Sequence, residues 1–573
     1  MTSIERTAYP RFKRLLSARE LHVFFTPQPD EVAWARRSAG SDEHLLAMIV
    51  MLKCFGRLGY FPTLSKVPAL VVDHVRRDLE LAPGTVAVYS APRTAERHRD
   101  LIRQRVGVLL DPAAARAVAA DAIREAAHAR NHPPDLINVA LERLVEGCFE
   151  LPAFSTLDDM ASQIRGEVND EMFAAITQRA GPGGVATLDG LLDPIGPGGR
   201  TGLDRLKRSA PRPSWSNYRK QLDHVEWVDS LGDAAAWVQG IAATKLTDFA
   251  GEAEVGDAGV LGDYGDAKRI AVLAALLHSA QAKARDDVVE MFCRRVATLT
   301  KRARVELEAL KEAHRAVTEK LIGNYRSVLE RIDPDGPVGA QHLAALQAAR
   351  AAVQAVGGFA GQYADIDKVS AHHGDNHAPL VARHLRKDRS AMLSMVAVLE
   401  FKATSADTSV LQALDFIREY TSLTRDHVSD QVVVYGEDGL PAVDDAGRPV
   451  TRVLDVSFAS EDWRRAIRDR KHPGMFVRRH LEACVLTYLA EELRTGDIAV
   501  IGAHAYADWP SSCSARPSAR ACCPRSAPRS GFRPTGRRSA RTLRPGCGRP
   551  ARRVTRVIRI TRTWSSPTTG CPP

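Results

Sequence analysis

Apolar residues recur at helical spacing through most of the first 509 residues of the chain. Between residues 43 and 55, Leu45, Ile49 and Leu52 lie four and three positions apart, which predicts one apolar helix face. The glycine and proline of the LGYFP sequence that follows end this helix. The same pattern predicts further helices over residues 67–81, 93–110 and 133–150.

The longest periodic segment covers residues 286–332. Glu306 and His314 interrupt it. The pattern is typical either of a bundle helix or of a coil that forms a dimer, and the charged interruptions favour the bundle. The apolar positions recur at spacings of three, four and seven, at Phe292, Val296, Leu299, Ala303, Leu310, Val317, Leu321, Val328 and Ile332.

Two segments depart from the helical pattern. Alternating valines in QVVVYGEDGLPAVDDAGRPVTRVLDV, residues 431–456, surround the turn pair Asp438-Gly439 and predict a β-hairpin. The sequence GPGGVATLDGLLDPIGPGGRTG, residues 181–202, is rich in Gly and Pro and is expected to be a flexible loop. The predicted fold class is therefore mainly α, with several helical domains, one short β-hairpin and a disordered C-terminal tail.

The tail is residues 510–573. It contains 15 Arg, 10 of the 32 Pro and 5 of the 9 Cys, but no Lys, Asp or Glu. It has no helical or strand period and few apolar side chains, so we expect it to be disordered. A reading-frame shift in a GC-rich gene accounts for this composition better than the alternative, a selected basic tail that binds nucleic acid.

The net charge depends on this tail. The whole chain has 79 basic and 69 acidic residues, a net charge of +10, whereas without the 15 tail arginines 64 basic residues face 69 acidic ones, a net charge of −5. Overall basicity therefore does not indicate nucleic-acid binding, and the argument must rest on local clusters.

The chain before residue 510 carries no sign of secretion or membrane insertion. Its four cysteines lie far apart without a CxxC pair, as is typical of reduced thiols in the cytoplasm. No apolar run has transmembrane length, and no signal segment begins the chain. We expect a cytoplasmic protein without a membrane partner.

No catalytic motif emerges. The phosphate-cradling GxxxxGK[ST], HExxH and GxSxG patterns are absent. The densest metal-ligand candidates, His372, His373 and His377, fit a solvated loop better than a metal site. The pairs Asp158-Asp159 and Asp286-Asp287 fit helix caps or solvent-facing positions, because neighbours on a helix point in different directions. No metal ligand is assigned.

Two local basic clusters indicate DNA binding. Arginines near the start of one predicted helix combine with the positive end of its dipole, which suits phosphate. Each cluster alone is more typical of a solvated face, but two of them in one helical chain favour DNA. The candidate DNA-binding residues are Arg93, Arg97, His98, Arg99 and Arg103 in the first cluster and Arg205, Lys207, Arg208 and Arg212 in the second, where Trp215 and Tyr218 are interleaved.

Several segments resemble the Tn-three family of transposases, the replicative enzymes of class II transposons. They are ERTAYPRFKRLLSARELHVFFTPQPDEVAWAR, MLKCFGRLGYFPTLSKVPALVVDHV, ELPAFSTLDDMASQIRGEVN and RRHLEACVLTYLAEELRTGDIAVIGAHAYADW. The resemblance runs in order from residue 1 to residue 509. Its anchors include Tyr9, Pro10, Gly59, Tyr60, Phe61, Arg93, Arg97, Glu150, Leu151, Pro152, Phe154, Arg165, Glu482, Gly496 and Tyr506.

The resemblance implies function as well as architecture. Family members bind the double-stranded terminal inverted repeats of a transposon, and a downstream RNase-H-like domain with an Asp-Asp-Glu triad and magnesium cuts and joins DNA. Residues 510–573 have no carboxylate side chain, so no catalytic residue and no cofactor is assigned in this chain. We expect a catalytically inactive fragment, cut short by a frameshift, that forms a homodimer in the bacterial cytoplasm and associates with the nucleoid.

Five regions follow from these patterns. They are a helical DNA-binding domain (1–130), a second helical DNA-binding region (131–253), a long-helix bundle or dimerisation region (254–430), a hairpin and linker (431–509) and the tail (510–573). Two alternatives to a transposase remain: a non-catalytic protein that competes at transposon ends, and a structural helical protein without a DNA role. A gel shift with inverted-repeat DNA separates the structural alternative from the others, and a strand-transfer assay separates enzyme from competitor.

Overall fold

The computed structural model of the chain is mostly helical. It describes residues 3–13, 15–195, 198–210, 215–331, 340–370, 376–419, 425–434, 441–444, 447–469 and 471–508. The predicted disordered tail, the turn pair Asp438-Gly439 and the candidates Arg212, His372 and His373 lie outside these residues.

The described helices and strands give the predicted mainly-α class. Short 3-10 helices cover Ser3–Arg6 and Leu64–Lys66. The α-helices are α1 (Ala18–Phe25), α2 (Pro29–Arg36), α3 (Asp42–Leu58), α4 (Ala69–Asp78), α5 (Pro92–Val106), α6 (Pro112–Ala127), α7 (Pro133–Glu146), α8 (Phe154–Asp189), α9 (Gly202–Leu206), α10 (Trp215–Ser230), α11 (Ala234–Trp237), α12 (Ala243–Val255), α13 (Ala258–Gly262), α14 (Asp266–Ala313), α15 (Arg315–Leu329), α16 (Ala340–Ala355), α17 (Gly358–Ser370), α18 (Ala378–Leu385), α19 (Arg389–Val398), α20 (Ser409–Glu419), α21 (Glu461–Ile467) and α22 (Arg478–Thr495). The strands are β1 (Phe401–Ala403), β2 (His427–Ser429), β3 (Gln431–Val433), β4 (Thr451–Val453), β5 (Met475–Val477) and β6 (Ile498–Val500).

The described residues form two compact units. The first contains the chain up to Thr201 together with Ala234–Leu276, and the second contains Gly202–Asp233 and the chain from Leu277 onward. Within the described residues, no helix is both long and apolar enough to cross a membrane.

Helix α3 forms the centre of the N-terminal part of the first unit. Its side chains are buried on all sides, as expected for a helix that is apolar around its whole circumference. The Ser41 hydroxyl accepts the His44 backbone N–H and caps its N-terminus. Gly59, with a φ of 72°, ends it in the left-handed conformation that glycine adopts without strain. The predicted helix over residues 43–55 is confirmed.

Residues that carry the family resemblance connect the end of α3 to the start of α8. The Tyr9 hydroxyl donates to the Pro152 carbonyl at 2.8 Å, and the Leu151 N–H donates to the Gly59 carbonyl at 2.9 Å. The Tyr9 ring stacks on Tyr60 with centroids 5.5 Å apart. These anchors are therefore packing residues that fix the start of α8 against the end of α3.

Helix α8 overturns part of the loop prediction. It continues to Asp189 through a kink at Gly181, whose φ and ψ of 62° and 179° are not helical. Pro182 then lies in the first turn of the second segment, where a missing N–H does no harm. A Cβ on Gly184 would lie 2.9 Å from the Trp237 ring, so glycine allows close packing there. Glycine and proline shape a kinked helix over residues 181–189 instead of a loop.

The long periodic segment begins twenty residues earlier than predicted and breaks once. Helix α14 starts at Asp266, and α15 starts after a break at His314, whose ring Nδ1 lies 2.8 Å from the Leu310 carbonyl. Phe292, Val296 and Ala303 are buried within the single chain. Their burial supports the bundle interpretation for this part of the seam.

Three antiparallel strand pairs appear in the described part of the chain. Strand β3 pairs with β4, with Val432 opposite Arg452, so the predicted hairpin region does form an antiparallel pair. The pairs β1–β6 and β2–β5 join segments far apart in sequence, and local alternation did not predict them.

Candidate nucleic-acid interface

The start of α5 presents two arginines to solvent in the first unit. Ala91 is its N-cap and makes no side-chain cap hydrogen bond, and Pro92 occupies the first turn. Arg93 and Arg97 are exposed one helical turn apart, and neither forms an ion pair with any described residue. Backbone N–H groups and the helix dipole add positive potential at this end. The arrangement suits a phosphate group.

The other members of this predicted cluster have structural partners. His98 is 1% exposed and its Nδ1 lies 3.4 Å from the Tyr89 hydroxyl. Burial lowers the pKa of His98, which favours its neutral form. Arg103 donates from Nε to Glu150 at 2.7 Å and from Nη1 to Asp100 at 2.6 Å. The half-buried Arg99 packs over the Phe61 ring at 5.9 Å. Arg93 and Arg97 are thus the accessible charges of the cluster.

A basic cavity lies in the second unit, between α9 and the first half of α10. Its volume is about 230 Å³. One carboxylate, Asp223, faces three cationic side chains there, which leaves a net positive site. The lining residues are Arg205, Arg208, Ser209, Lys220, Gln221, Asp223 and His224.

Trp227 packs against two of the residues that line this cavity. The Arg205 guanidinium lies over its ring at 4.0 Å, and the His224 ring stacks on it with centroids 5.6 Å apart. Burial and the nearby Arg208 lower the pKa of Arg205. Burial, Arg205 and Arg208 lower the pKa of His224, so this imidazole is neutral near pH 7. A bound anion would relieve the repulsion between these cations.

The remaining residues of the second predicted cluster differ in their exposure to solvent. Lys207 is half-exposed and already has an interaction partner. Tyr218, expected to be interleaved with the basic residues, is 4% exposed and belongs to the core. The sequence pattern did not identify His224 and Trp227, which lie one turn apart on α10. Their spacing of three residues was the available signal.

The carboxylates considered for metals serve other contacts. Asp286 accepts the backbone N–H groups of Ala505 at 2.9 Å and of His504 and Tyr506, so it fixes the turn before residue 508. Burial raises the pKa of its neighbour Asp287. Asp158, on α8, has an interaction partner, and His377 stands at the N-cap of α18.

Comparisons with known proteins give the same family as the sequence resemblance. A family described as a domain of unknown function (DUF4158) matches residues 1–164. The chain is 19% identical over 474 residues to the transposase for transposon Tn1546 of Enterococcus faecium, covering 82% of this chain and 45% of that protein. It is 24% identical over 501 residues to the transposase for transposon Tn501 of Pseudomonas aeruginosa, covering 86% and 47%, and 24% identical over 469 residues to the transposase for transposon Tn2501 of Escherichia coli, covering 80% and 44%.

These relatives are all transposases, and each is similar to this chain over 80% or more of this chain's length. Their similarity confirms the resemblance to Tn-three-family transposases that the sequence motifs indicated. The chain spans about half the length of the curated relatives it matches.

Proposed function

We propose that this chain binds double-stranded DNA at the terminal inverted repeats of a transposon, as the DNA-recognising part of a transposase. The observation that carries the proposal is the exposed, unpaired Arg93–Arg97 pair at the open end of α5, in a chain related over most of its length to transposases. Such a protein would act in the bacterial cytoplasm, associated with the nucleoid.

Each cationic site suits backbone phosphate better than base edges. Arg93 and Arg97 lie at the N-terminal end of α5, where the helix dipole adds positive potential, a combination that holds phosphate oxygens without reading sequence. The cavity around Arg205 and Arg208 offers a guanidinium already oriented by Trp227. Phosphate contacts of this kind fix orientation on the duplex, and other residues would supply sequence discrimination.

Replacing Arg93 and Arg97 together by alanine should weaken binding to duplexes taken from the two ends of the element. Each lost phosphate contact should reduce the slope of log affinity against log salt by about 0.9. The double variant should therefore show a slope smaller by about 1.8, measured by fluorescence anisotropy between about 50 and 200 mM salt.

The matched control is the double variant Arg116→Ala with Arg143→Ala, which removes the same charge from α6 and α7 of the same unit. It should leave the slope close to that of the wild type. A slope unchanged by the Arg93 and Arg97 substitutions, or lowered equally by the control, would remove the start of α5 from the interface.

Cutting and joining are proposed for the complete family enzyme with magnesium, not for this chain alone. Two-metal phosphoryl transfer needs carboxylates that converge on ions about 3.5–4 Å apart. Residues 510–573 contain no carboxylate side chain. A chain that binds ends without cutting them would compete with an intact transposase, which is the second candidate function. Incubation with end DNA and Mg²⁺ separates the two, because metal-dependent nicking would exclude the competitor.

We also propose that the chain forms a homodimer through helices α15, α16 and α17. Among the residues of these helices whose exposure is described, only Ala349 is buried. Polar contacts hold α15 to α17, from Lys320 to Asp365 at 3.0 Å and from Asn324 to Gln362 at 3.1 Å. Apolar side chains of the same helices, between 44% and 66% exposed, are Ile322, Tyr325, Leu329, Leu343, Leu346, Phe359, Tyr363 and Ile366. A helical segment with so little core of its own is stabilised if a second copy covers this surface.

The variant Ile322→Glu with Tyr325→Glu should convert a dimer to a monomer, because it places two charges in an apolar contact. Sedimentation velocity at several protein concentrations measures the change. Val255→Glu is the control, since Val255 is 89% exposed and lies outside these helices. A wild-type chain that remains monomeric at all concentrations, or a dimer unaffected by the double variant, would contradict this surface.

A further inference from the structure

Two histidines and an aspartate come together in the second unit, and none of them lines the cavity around Arg205 and Arg208. His427 lies on β2, while Asp469 and His472 lie in the turn between α21 and β5. Strands β2 and β5 pair antiparallel, with His427 opposite Val477, and this pairing brings the turn back over His427. The cluster therefore depends on a strand pair formed across more than forty residues of sequence.

The three side chains point potential ligand atoms at one another. Asp469 Oδ2 is 2.9 Å from His427 Nε2 and 2.7 Å from His472 Nδ1. All three ligand atoms lie within 4.8 Å of one another, and the imidazole centroids are 4.4 Å apart. Separations of this size let a single ion reach one atom from each residue.

The carboxylate of Asp469 is held in position by the backbone. The Lys471 N–H donates to Oδ1 at 2.9 Å, which leaves Oδ2 facing both imidazoles. A ligand oriented by a second hydrogen bond is a recurrent feature of metal sites in proteins.

We propose that His427, Asp469 and His472 bind a divalent first-row transition-metal ion, for which zinc is the probe. Two imidazole nitrogens and one carboxylate oxygen suit zinc and its neighbours, whereas magnesium and calcium prefer oxygen ligands alone. This site was not assigned from the sequence, which gave no metal ligand in the chain. It is independent of the proposed DNA binding.

Binding requires only small changes in the cluster. Zinc with bonds of about 2.0–2.1 Å to nitrogen and oxygen places tetrahedral ligands about 3.3 Å apart, so the present 2.7 and 2.9 Å separations must open slightly. His427 Nε2 and His472 Nδ1 now face the Asp469 carboxylate, which accepts a hydrogen bond from each of them. To bind the ion, each of these nitrogens must give up that proton, either to the other nitrogen of the same ring or to solvent, and then supply its lone pair. The half-exposed His472 leaves the fourth position open to water.

The ion would cross-link β2 to the turn that precedes β5. These elements are also joined by a three-residue ladder, by the hydrogen bond from the Asp430 N–H to the Gly474 carbonyl at 3.1 Å, and by the hydrogen bonds of Asp469. Since metal bound only by the folded state stabilises that state, zinc should also raise the unfolding temperature of the full chain.

Isothermal titration of the metal-free full chain with zinc chloride tests the site. We expect one zinc ion per chain and a tenfold or greater loss of affinity in each of Asp469→Asn, His472→Ala and His427→Gln. Cobalt(II) should give the absorption of a low-symmetry nitrogen and oxygen site in the wild type and lose it in Asp469→Asn. That variant nearly preserves shape, so far-UV circular dichroism should show it folded.

Two controls separate this cluster from other histidines of the chain. The double variant His372→Ala with His373→Ala removes the densest histidine sequence, and His504→Ala removes an exposed histidine of the same unit. Both should bind zinc like the wild type. A wild type without stoichiometric binding, three cluster variants with unchanged affinity, or loss of binding in either control would overturn the proposal. In those cases Asp469 only bridges two imidazoles by hydrogen bonds.

Discussion

Replacing Glu482 by glutamine should lower the free energy of unfolding of the second unit by about 3–5 kcal/mol, the cost of breaking a buried ion pair. Glu482 is 2% exposed on α22. Arg389, from α19, donates to both of its carboxylate oxygens at 2.7 Å, and Arg478 donates to one of them at 2.9 Å. Glutamine keeps the shape but removes the negative charge that both guanidinium groups share, and Arg478 is only 7% exposed there.

The measurement must separate the unfolding of the second unit from that of the first. Hydrogen exchange of peptides from α19 and α22 reports local opening there, and urea unfolding gives the free energy. Glu461→Gln is the control, since Glu461 forms an exposed pair with Arg465 and should cost less than about 0.5 kcal/mol. Equal protection of α19 and α22 in the Glu482 variant and the wild type would show that the charge network does not hold these helices together.

Helical periodicity predicted the elements whose apolar face meets a core. Helix α3 was predicted from the spacing of Leu45, Ile49 and Leu52, which are all buried. The loop prediction, which rested on the Gly and Pro content, was wrong at residues 181–189. There Pro182 starts a helical segment and Gly184 packs against Trp237. Local sequence shows which residues disfavour a helix, but not whether a distant ring stabilises it.

Long-range partners account for what the sequence could not predict about the sites. Counting positive charges placed His98 and Arg103 in the DNA interface with Arg93, whereas the fold gives them Tyr89 and Glu150 as partners. Whether they also contact DNA stays a prediction. Nothing in the local pattern around a single charge reveals the carboxylate or ring that will pack against it.

The same limit applies to residues that converge from separate segments. His427 and Asp469 are brought together by the β2–β5 pair. No local turn motif in the sequence predicts this pairing. Glu482 was recognised as a family anchor without a role, and the structure supplies the role through Arg389. Resemblance thus identified important positions, and only the packing explains them.

Lys245 is the second buried charge whose environment leads to a sharp expectation. It is completely buried on α12, and its ammonium group donates to Asn131 at 2.9 Å and to Asn169 of α8. Arg165 of α8 and Asp248 of α12 are the charged groups that act on it. Burial, then Arg165, lowers the pKa of Lys245 from its ordinary value of 10.5 to about 8.

This pKa shift fixes the sign of a pH dependence. Between about pH 8 and pH 10.5 the unfolded state binds more protons at this lysine than the folded state does, so stability from this group rises with pH in that window. Below about pH 8 both states are protonated, and the cost of burying the charge is fully present. The first unit should therefore be more stable at about pH 9.5 than at about pH 7, as far as this residue contributes.

Lys245→Met should cost about 1–3 kcal/mol near pH 7, because it removes hydrogen bonds from a charged donor and leaves the Asn169 oxygen without this partner. The wild type gains stability from this group as pH rises and the variant does not, so the difference between them should grow toward about pH 9.5. Urea unfolding at both pH values measures this difference in stability. Hydrogen exchange of α7, α8 and α12 assigns the transition to the first unit. Lys268→Met, which removes one positive charge from the pair with Glu252, controls for the loss of charge. A difference between wild type and Lys245→Met that is constant or shrinks with pH would mean that the buried amine stays fully charged in the folded chain throughout this range.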